Sequence, residues 1–222
     1  MPDLFELMPE FSSVPHPLIA DSKAVLVGVS TILHDDRAFY FEVTRPRYWS
    51  EGTSGRRVVG IGGIGGRLEP GEAVLACLHR EVREELGVRF RAEGAGRTAL
   101  IHRGEVAAWL DLPGSRDYPA PYMLNLLPPQ LPREDRPDHL AIVTFLGEVE
   151  GKPRRGDLFG LLSIGRSTLR PFFQRSEWPL GEAIALPGLA FDVESGLPEG
   201  SLLRPTLTAR AFQVLLQNEP EP

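Results

Sequence analysis

Residues 72 to 86 constrain this chain more than any other stretch. Val74, Leu75, Leu78, Val82 and Leu86 recur at three- and four-residue spacing, which builds one apolar helix face. Gly87 follows where a helix C-cap favours left-handed backbone. On a wheel of about 100° per residue, Glu81, Glu84 and Glu85 share a sector roughly 100° wide that flanks the apolar stripe instead of opposing it. Like charges within one turn repel, and acids in the last turn oppose the helix dipole. Arg80 can pair with Glu84 at the i,i+4 spacing but cannot neutralise all three carboxylates. Hard divalent cations can, because Mg²⁺ and Mn²⁺ take clustered oxygen ligands. The pattern therefore predicts a cation-binding helix.

The rest of the chain supplies layers for that helix to lie on. Strands are expected over residues 23–33 and 38–44, joined by a turn at His34-Asp35-Asp36-Arg37, with a polar loop over 45–57. Residues 58–64 read as a short strand entering a tight glycine turn, and 88–102 have strand character. A short helix is expected at 106–110. Residues 139–150 and 158–164 read as strands, 167–173 as a short helix, 179–205 as irregular, and 206–217 as a terminal helix. Residues 1–22, proline-rich and aperiodic, form an N-terminal arm laid over a single domain at 23–222, with an insertion at 103–138. Strands on both sides of a central helix give a mixed α/β fold.

Composition narrows the function classes. The 222 residues are 42% hydrophobic and 24% charged, ordinary values for a chain able to bury a core. Lys and Arg number 24 against 30 Asp and Glu, a net charge of −6, so no basic face is available for polymeric nucleic acid. The single cysteine, Cys77, permits no internal disulfide and fits a reducing compartment. The N-terminus has no basic region followed by an apolar run, and no stretch approaches the roughly 20 apolar residues of a membrane span, so a cytoplasmic location without membrane contact is expected.

The residues around the acidic helix carry more information than the acids alone. A solvated face is the ordinary meaning of an EVREE string, at about four in five. Here Gly66, Glu72, Arg80, Glu81, Val82, Glu84, Glu85, Gly87 and Val88 stand at the spacings Gly-x₅-Glu-x₇-Arg-Glu-apolar-x-Glu-Glu-x-Gly-apolar. Background frequencies give that arrangement a chance on the order of one in 10⁹ per start position. The segment resembles the Nudix box in every specified position.

The resemblance implies an α/β/α sandwich with a mixed sheet between helices, in which the box forms a loop, a helix and a second loop. It implies divalent-metal-dependent hydrolysis of a pyrophosphate linkage in a small nucleoside diphosphate derivative. Glu81, Glu84 and Glu85, joined by the Gly66 carbonyl, map onto the ligands of Mg²⁺ or Mn²⁺, and Arg80 joins the three glutamates in the catalytic set. Glu72 supports the carboxylates, Gly71 permits a turn, and Gly87 ends the helix. The general base lies in the box or in a later loop; Asp157 is the preferred outside candidate over Glu148 and Glu150. A homodimer is compatible with the resemblance, although no residue marks an interface.

The alternative is a Nudix-fold module that senses a nucleotide without cleaving it. Such modules usually lose box carboxylates or add a basic DNA-binding domain, and this chain does neither. Subfamily signatures for NADH, coenzyme A, dinucleoside polyphosphate and ADP-ribose substrates are missing. The aromatics Trp109, Tyr118 and Tyr122 are candidates for base stacking. Cys77 reads as a small buried side chain, and His79, His102 and His139 lack metal-ligand spacing. The IGGIGG run lacks the Lys-Ser/Thr of a P-loop and serves to bring the chain tightly into the box.

Overall fold

In the computed structural model, which describes residues 2–53, 55–114, 118–129 and 137–218, the longest paired strands share the middle of one mixed sheet. The first half of the chain contains α1 (Leu4–Leu7), a 3₁₀ turn (Pro9–Ser13), β1 (Ala24–His34), β2 (Ala38–Val43), a second 3₁₀ turn (Pro46–Tyr48), β3 (Ser50–Glu51), β4 (Arg57–Gly62), β5 (Ile64–Gly66) and α2 (Val74–Leu86). The sheet continues through β6 (Arg89–Glu93), β7 (Thr98–His102), β8 (Glu105–Leu110), β9 (Met123–Leu127) and β10 (His139–Glu150). The remainder is β11 (Gly160–Gly165), α3 (Arg166–Phe173), β12 (Trp178–Pro179), α4 (Leu180–Ile184), β13 (Leu189–Val193), β14 (Leu202–Pro205) and α5 (Leu207–Asn218).

The main path through the sheet runs β12-β14-β4-β2-β1-β10-β9-β7-β8. β1 lies parallel to β10 from Ala24↔His139 to His34↔Glu148, and on its other edge takes β5 antiparallel through Val29↔Gly66 and Thr31↔Ile64. Helices cover both faces. α2 packs on β1, β5 and β6, while α5 and α3 lie against β2, β4, β8, β9, β11 and β14. Val74, Cys77, Leu78, Val82 and Leu86 of α2 are buried in one core with Leu26, Val29, Leu33, Val143 and Phe145. Phe41, Ile61, Phe172, Phe173 and Phe212 form the second core, on the opposite face. This is the expected α/β/α sandwich.

The box positions depend on how α2 begins and ends. It starts at Val74, not at residue 72, because Gly71 sits at φ +79° and Glu72 turns its side chain back to accept from the Glu69 amide at 2.9 Å. It ends as expected at Gly87, left-handed at φ 66°, whose amide donates to the Arg83 carbonyl at 3.0 Å.

Elsewhere three expectations are corrected. Residues 106–110 are not helical: they belong to β8, which pairs with β7 across a tight turn at Arg103-Gly104, both at positive φ. Residues 88–102 show the expected strand character as β6 and β7, whereas the expected loop at 45–57 contains a 3₁₀ turn and β3, which pairs with β4. Residues 179–205 are ordered as α4, β13 and β14, and β14 joins the sheet parallel to β4. Near the N-terminus, Leu4, Met8 and Phe11 are fully buried in the α2-side core, and the Pro2 carbonyl accepts from the Leu26 amide at 3.0 Å. Of the expected insertion at 103–138, residues 115–117 and 130–136 lie outside the described residues. Among the described residues no helix is long and apolar enough to cross a membrane.

Candidate active site

The box loop meets its own helix at two glycines. β5 presses so close to β1 that a Cβ on Gly65 would stand 2.3 Å from the Val29 carbonyl oxygen, and Gly65 takes φ +147°, which side-chain-bearing residues rarely adopt. A Cβ on Gly66 would stand 2.2 Å from Glu81 Oε1. The bare backbone lets both carboxylates of the i,i+4 pair reach the loop: Glu81 lies against Gly66, and Glu85 Oε2 accepts from the Gly65 amide at 3.2 Å.

Arg80 gathers the rest of the box. Its Nε and Nη2 donate to the two oxygens of Glu72, each at 2.9 Å, the bidentate geometry that a guanidinium fits best. Nη1 donates to Glu81 at 2.8 Å and to Glu84 at 3.3 Å, and Nη2 also reaches the Arg67 carbonyl at 3.3 Å. Hydrogen bonds from Arg80 and from the Glu69 amide hold the Glu72 carboxyl down at about 2. Glu72 and Arg80 thus tie the start of the loop to the middle of the helix.

Glu85 has the opposite environment. Burial comes first among the causes that push its carboxyl up to about 9, followed by the charges of Glu42 and Glu81, with Asp157 adding further; only the Gly65 amide favours the ionised form. Asp157 comes from the loop between β10 and β11, which closes over the C-terminus of α2. The amides of Arg154, Gly156 and Asp157 donate to the carbonyls of Leu86, Glu85 and Glu84 at 3.1, 2.7 and 3.3 Å, satisfying acceptors that a helix end leaves open. A Cβ on Gly156 would stand 2.1 Å from the Glu84 carbonyl, so only glycine lets the loop approach this closely. Arg45 Nη2 donates to the Asp157 carbonyl at 2.6 Å, joining that loop to the end of β2.

The donor set is all hard oxygen with an unbalanced negative charge, which fits Mg²⁺ or Mn²⁺. The carboxylates are not yet gathered around one point. Among the described residues no three of His, Cys, Asp and Glu form a ready coordination cluster. The reason is visible in the hydrogen bonds: Glu81 and Glu84 turn toward Arg80, while Glu85 turns toward Gly65.

Beside the two glycines opens a cleft of about 540 Å³, lined by Gly65, Gly66, Arg67 and Glu42 at one end and by Leu127, Leu140, Ile142 and Leu207 among its apolar residues. A second cavity of about 600 Å³ lies on the outer side of the box loop, against Pro2, Leu7, Leu26 and Val27; Glu81, Glu84 and Glu85 do not line it. Glu81, Glu84 and Glu85 line neither cavity, but the first holds Gly65 and Gly66, against which Glu85 and Glu81 rest.

The aromatic candidates lie elsewhere. Trp109, with Arg97 stacked 5.2 Å over its ring, and Tyr122 line a separate cavity of about 630 Å³, while Tyr118 packs against the α2-side core. None of the three lines the cleft beside the box. Cys77 is fully buried, its Sγ donates to the Arg67 carbonyl at 3.4 Å, and burial with the nearby charge of Glu72 pushes the thiol up to about 12. It packs and does not attack. The His79 ring packs on Phe90 with centroids 4.7 Å apart, and His102 and His139 contact each other at 5.4 Å.

Two residues near the box lie outside its pattern. Glu42 lines the cleft and is raised by burial; Arg45 holds the Asp157 loop. The signal for Glu42 was its parity on β2, where it stands between Phe41 and Val43 in an otherwise apolar strand.

The family model described as the NUDIX domain matches residues 26–160, more than half of the chain and the whole of the box. The chain belongs to the Nudix family, and Nudix-type hydrolysis is the general activity that this membership supports. The E. coli ORF135 protein in solution is similar at 16% identity over 66% of this chain and 76% of that one, with a TM-score of 0.38. A MutT protein from Bacillus halodurans is similar at 15% identity over 65% and 71%, with a TM-score of 0.33. A Nudix hydrolase from Nitrosomonas europaea reaches 21% identity over 59% and 64%, with a TM-score of 0.33. No curated protein matches the chain.

Proposed function

We propose that this chain is a divalent-cation-dependent pyrophosphohydrolase acting on a small nucleoside diphosphate derivative. The observation that carries the reading is the Gly65-Gly66 turn, against which Glu81 and Glu85 rest and which itself lines a cleft with both polar and apolar walls. Glu81, Glu84 and Glu85, with the Gly66 carbonyl, are the groups that would hold Mg²⁺ or Mn²⁺. When bound, the cation neutralises diphosphate charge and lowers the pKa of an attacking water.

The chain's own residues do the rest. Arg80, fixed by Glu72, holds Glu81 and Glu84 and limits their rotamers. The amide of Gly65 fixes Glu85. The apolar end, with Leu127, Leu140 and Ile142, takes the uncharged part of the substrate, and the phosphates lie toward Gly65 and Gly66. A carboxylate of the box, or Asp157 across the helix end, accepts the proton of the attacking water.

The test is phosphate-coupled hydrolysis across a panel of nucleoside diphosphate derivatives with Mg²⁺ or Mn²⁺, with Glu85→Gln alongside. Turnover that needs the cation and is lost in the variant is expected. Saturable nucleotide binding by folded protein with no turnover of any compound would transfer the assignment to a non-catalytic sensing module.

A further inference from the structure

β2 reads Ala-Phe-Tyr-Phe-Glu-Val, and its side chains alternate between the faces of the sheet. Phe39, Phe41 and Val43 join the α5-side core, whereas Tyr40 packs against the α2-side core. Glu42 shares the side of Tyr40. A strand in the middle of a covered sheet favours an apolar residue there, because a carboxylate taken from water is costly unless something compensates it. Here the fold makes room for the charge. β4 places Gly62 directly opposite Glu42, and a Cβ on Gly62 would stand 3.3 Å from Glu42 Oε2.

The surroundings say what the compensation is. Glu42 lines the same cleft as Gly65 and Gly66, the two residues against which Glu85 and Glu81 rest. Arg45 is the cation that acts on Glu42, and it is already committed to the Asp157 carbonyl. Glu42 on β2 thus faces the cleft whose Gly65 amide holds Glu85, and the arginine near it is engaged elsewhere, which leaves the carboxylate short of positive charge.

We propose that Glu42 is a further carboxylate of the cation site, contributed from β2 outside the box, and that it holds the divalent ion together with Glu85. The inference rests on the pyrophosphohydrolase reading above. It adds a residue that no box pattern specifies and anchors the cation to the sheet as well as to α2.

The experiment is a Mn²⁺ titration of the full chain without nucleotide, followed by the electron paramagnetic resonance signal of free Mn²⁺. Wild type is compared with Glu42→Gln, Glu42→Asp, Glu85→Gln and, as a control for net charge, the exposed Glu182→Gln. Loss of a carboxylate at the ion is expected to weaken Mn²⁺ binding by about 10-fold or more in Glu42→Gln and Glu85→Gln, with Glu182→Gln unchanged. Wild-type affinity in Glu42→Gln alongside weakened Glu85→Gln overturns the role of Glu42 and leaves the hydrolase reading standing. A lowered thermal midpoint with unchanged Mn²⁺ affinity shows a purely structural role and overturns the proposal equally. If Glu42→Gln does not fold, Glu42→Asp decides: retention of wild-type affinity is the overturning result. Absence of Mn²⁺ binding by the wild-type chain overturns both readings.

Discussion

On the α5 side of the sheet, Phe41, Phe172, Phe173 and Phe212 meet with ring centroids 5.3 to 6.2 Å apart, and the polar groups among them have partners. Gln213 donates from Nε2 to the carbonyls of Phe173 and Arg175, both at 2.7 Å, and the Ser30 hydroxyl shares hydrogen bonds of 2.8 Å with those of Thr144 and Thr208. On the α2 side, apolar packing of similar quality carries carboxylates at its rim that repel one another, and a single guanidinium binds three of them. One face is arranged to lower the free energy of folding. The other accepts a local electrostatic cost, of the kind that functional sites impose on otherwise consistent sequences.

If that contrast is right, substitutions on the two faces should separate activity from stability. Glu85→Gln should give the largest change: a loss of turnover on the order of 10³-fold, measured as kcat/KM on the best compound of the panel. The same variant should be at least as stable as wild type without cation, since it removes the cost of protonating a buried carboxyl on folding. Phe212→Ala should do the reverse. Deleting a buried ring costs about 3 kcal/mol or more in stability, read by denaturant unfolding, with kcat little changed for the folded fraction at low temperature. Equal losses of stability in both variants would break the comparison.

What the sequence disclosed follows the same division. α2 and its box were legible because their pattern is local: apolar spacing, an acid sector and a terminating glycine all lie within one helix. β8 was misread because Val106-Ala107-Ala108-Trp109-Leu110 suits a helix by composition, and its strand state comes from pairing with β7. β14 was missed for a similar reason, since a four-residue run gains its place only by lying parallel to β4. Glu42 could not be placed from its neighbours in sequence; its position opposite Gly62 and in the cleft of Gly65 and Gly66 is a product of strand register. The aromatics Trp109 and Tyr122 were chosen by composition, and the sheet carries them to another cavity.

A smaller effect tests whether the glycines serve the chemistry or only the fold. At Gly66 the clash of an added methyl is with the end of a movable side chain, Glu81, and not with backbone. Gly66→Ala should therefore fold but displace Glu81, weakening Mn²⁺ binding by about 10- to 100-fold. Gly71→Ala meets nothing within 4 Å and only strains a left-handed residue at φ +79°. It should cost about 1 kcal/mol of stability and leave Mn²⁺ affinity near wild type, as read by the same titration.

Stability should also depend on pH, with a sign fixed by Glu85. Its folded carboxyl lies at about 9 and its unfolded one near the ordinary 4.5, so the folded chain keeps a proton that the unfolded chain releases. The stability associated with the protonated group is fully present below the unfolded value and is lost as pH rises through the folded one. The cation-free protein should thus lose thermal stability between pH 6 and pH 9, by at most about 1.4 kcal/mol per pH unit from this group. Glu85→Gln should flatten the slope, and saturating Mg²⁺ should reverse the loss at pH 8, because the ion favours the ionised carboxylate. A midpoint that does not fall with pH in cation-free wild type, or that falls equally in Glu85→Gln, would mean that the charge deficit at the box lies on another group. The same differential scanning series on Glu42→Gln then identifies whether that group is Glu42.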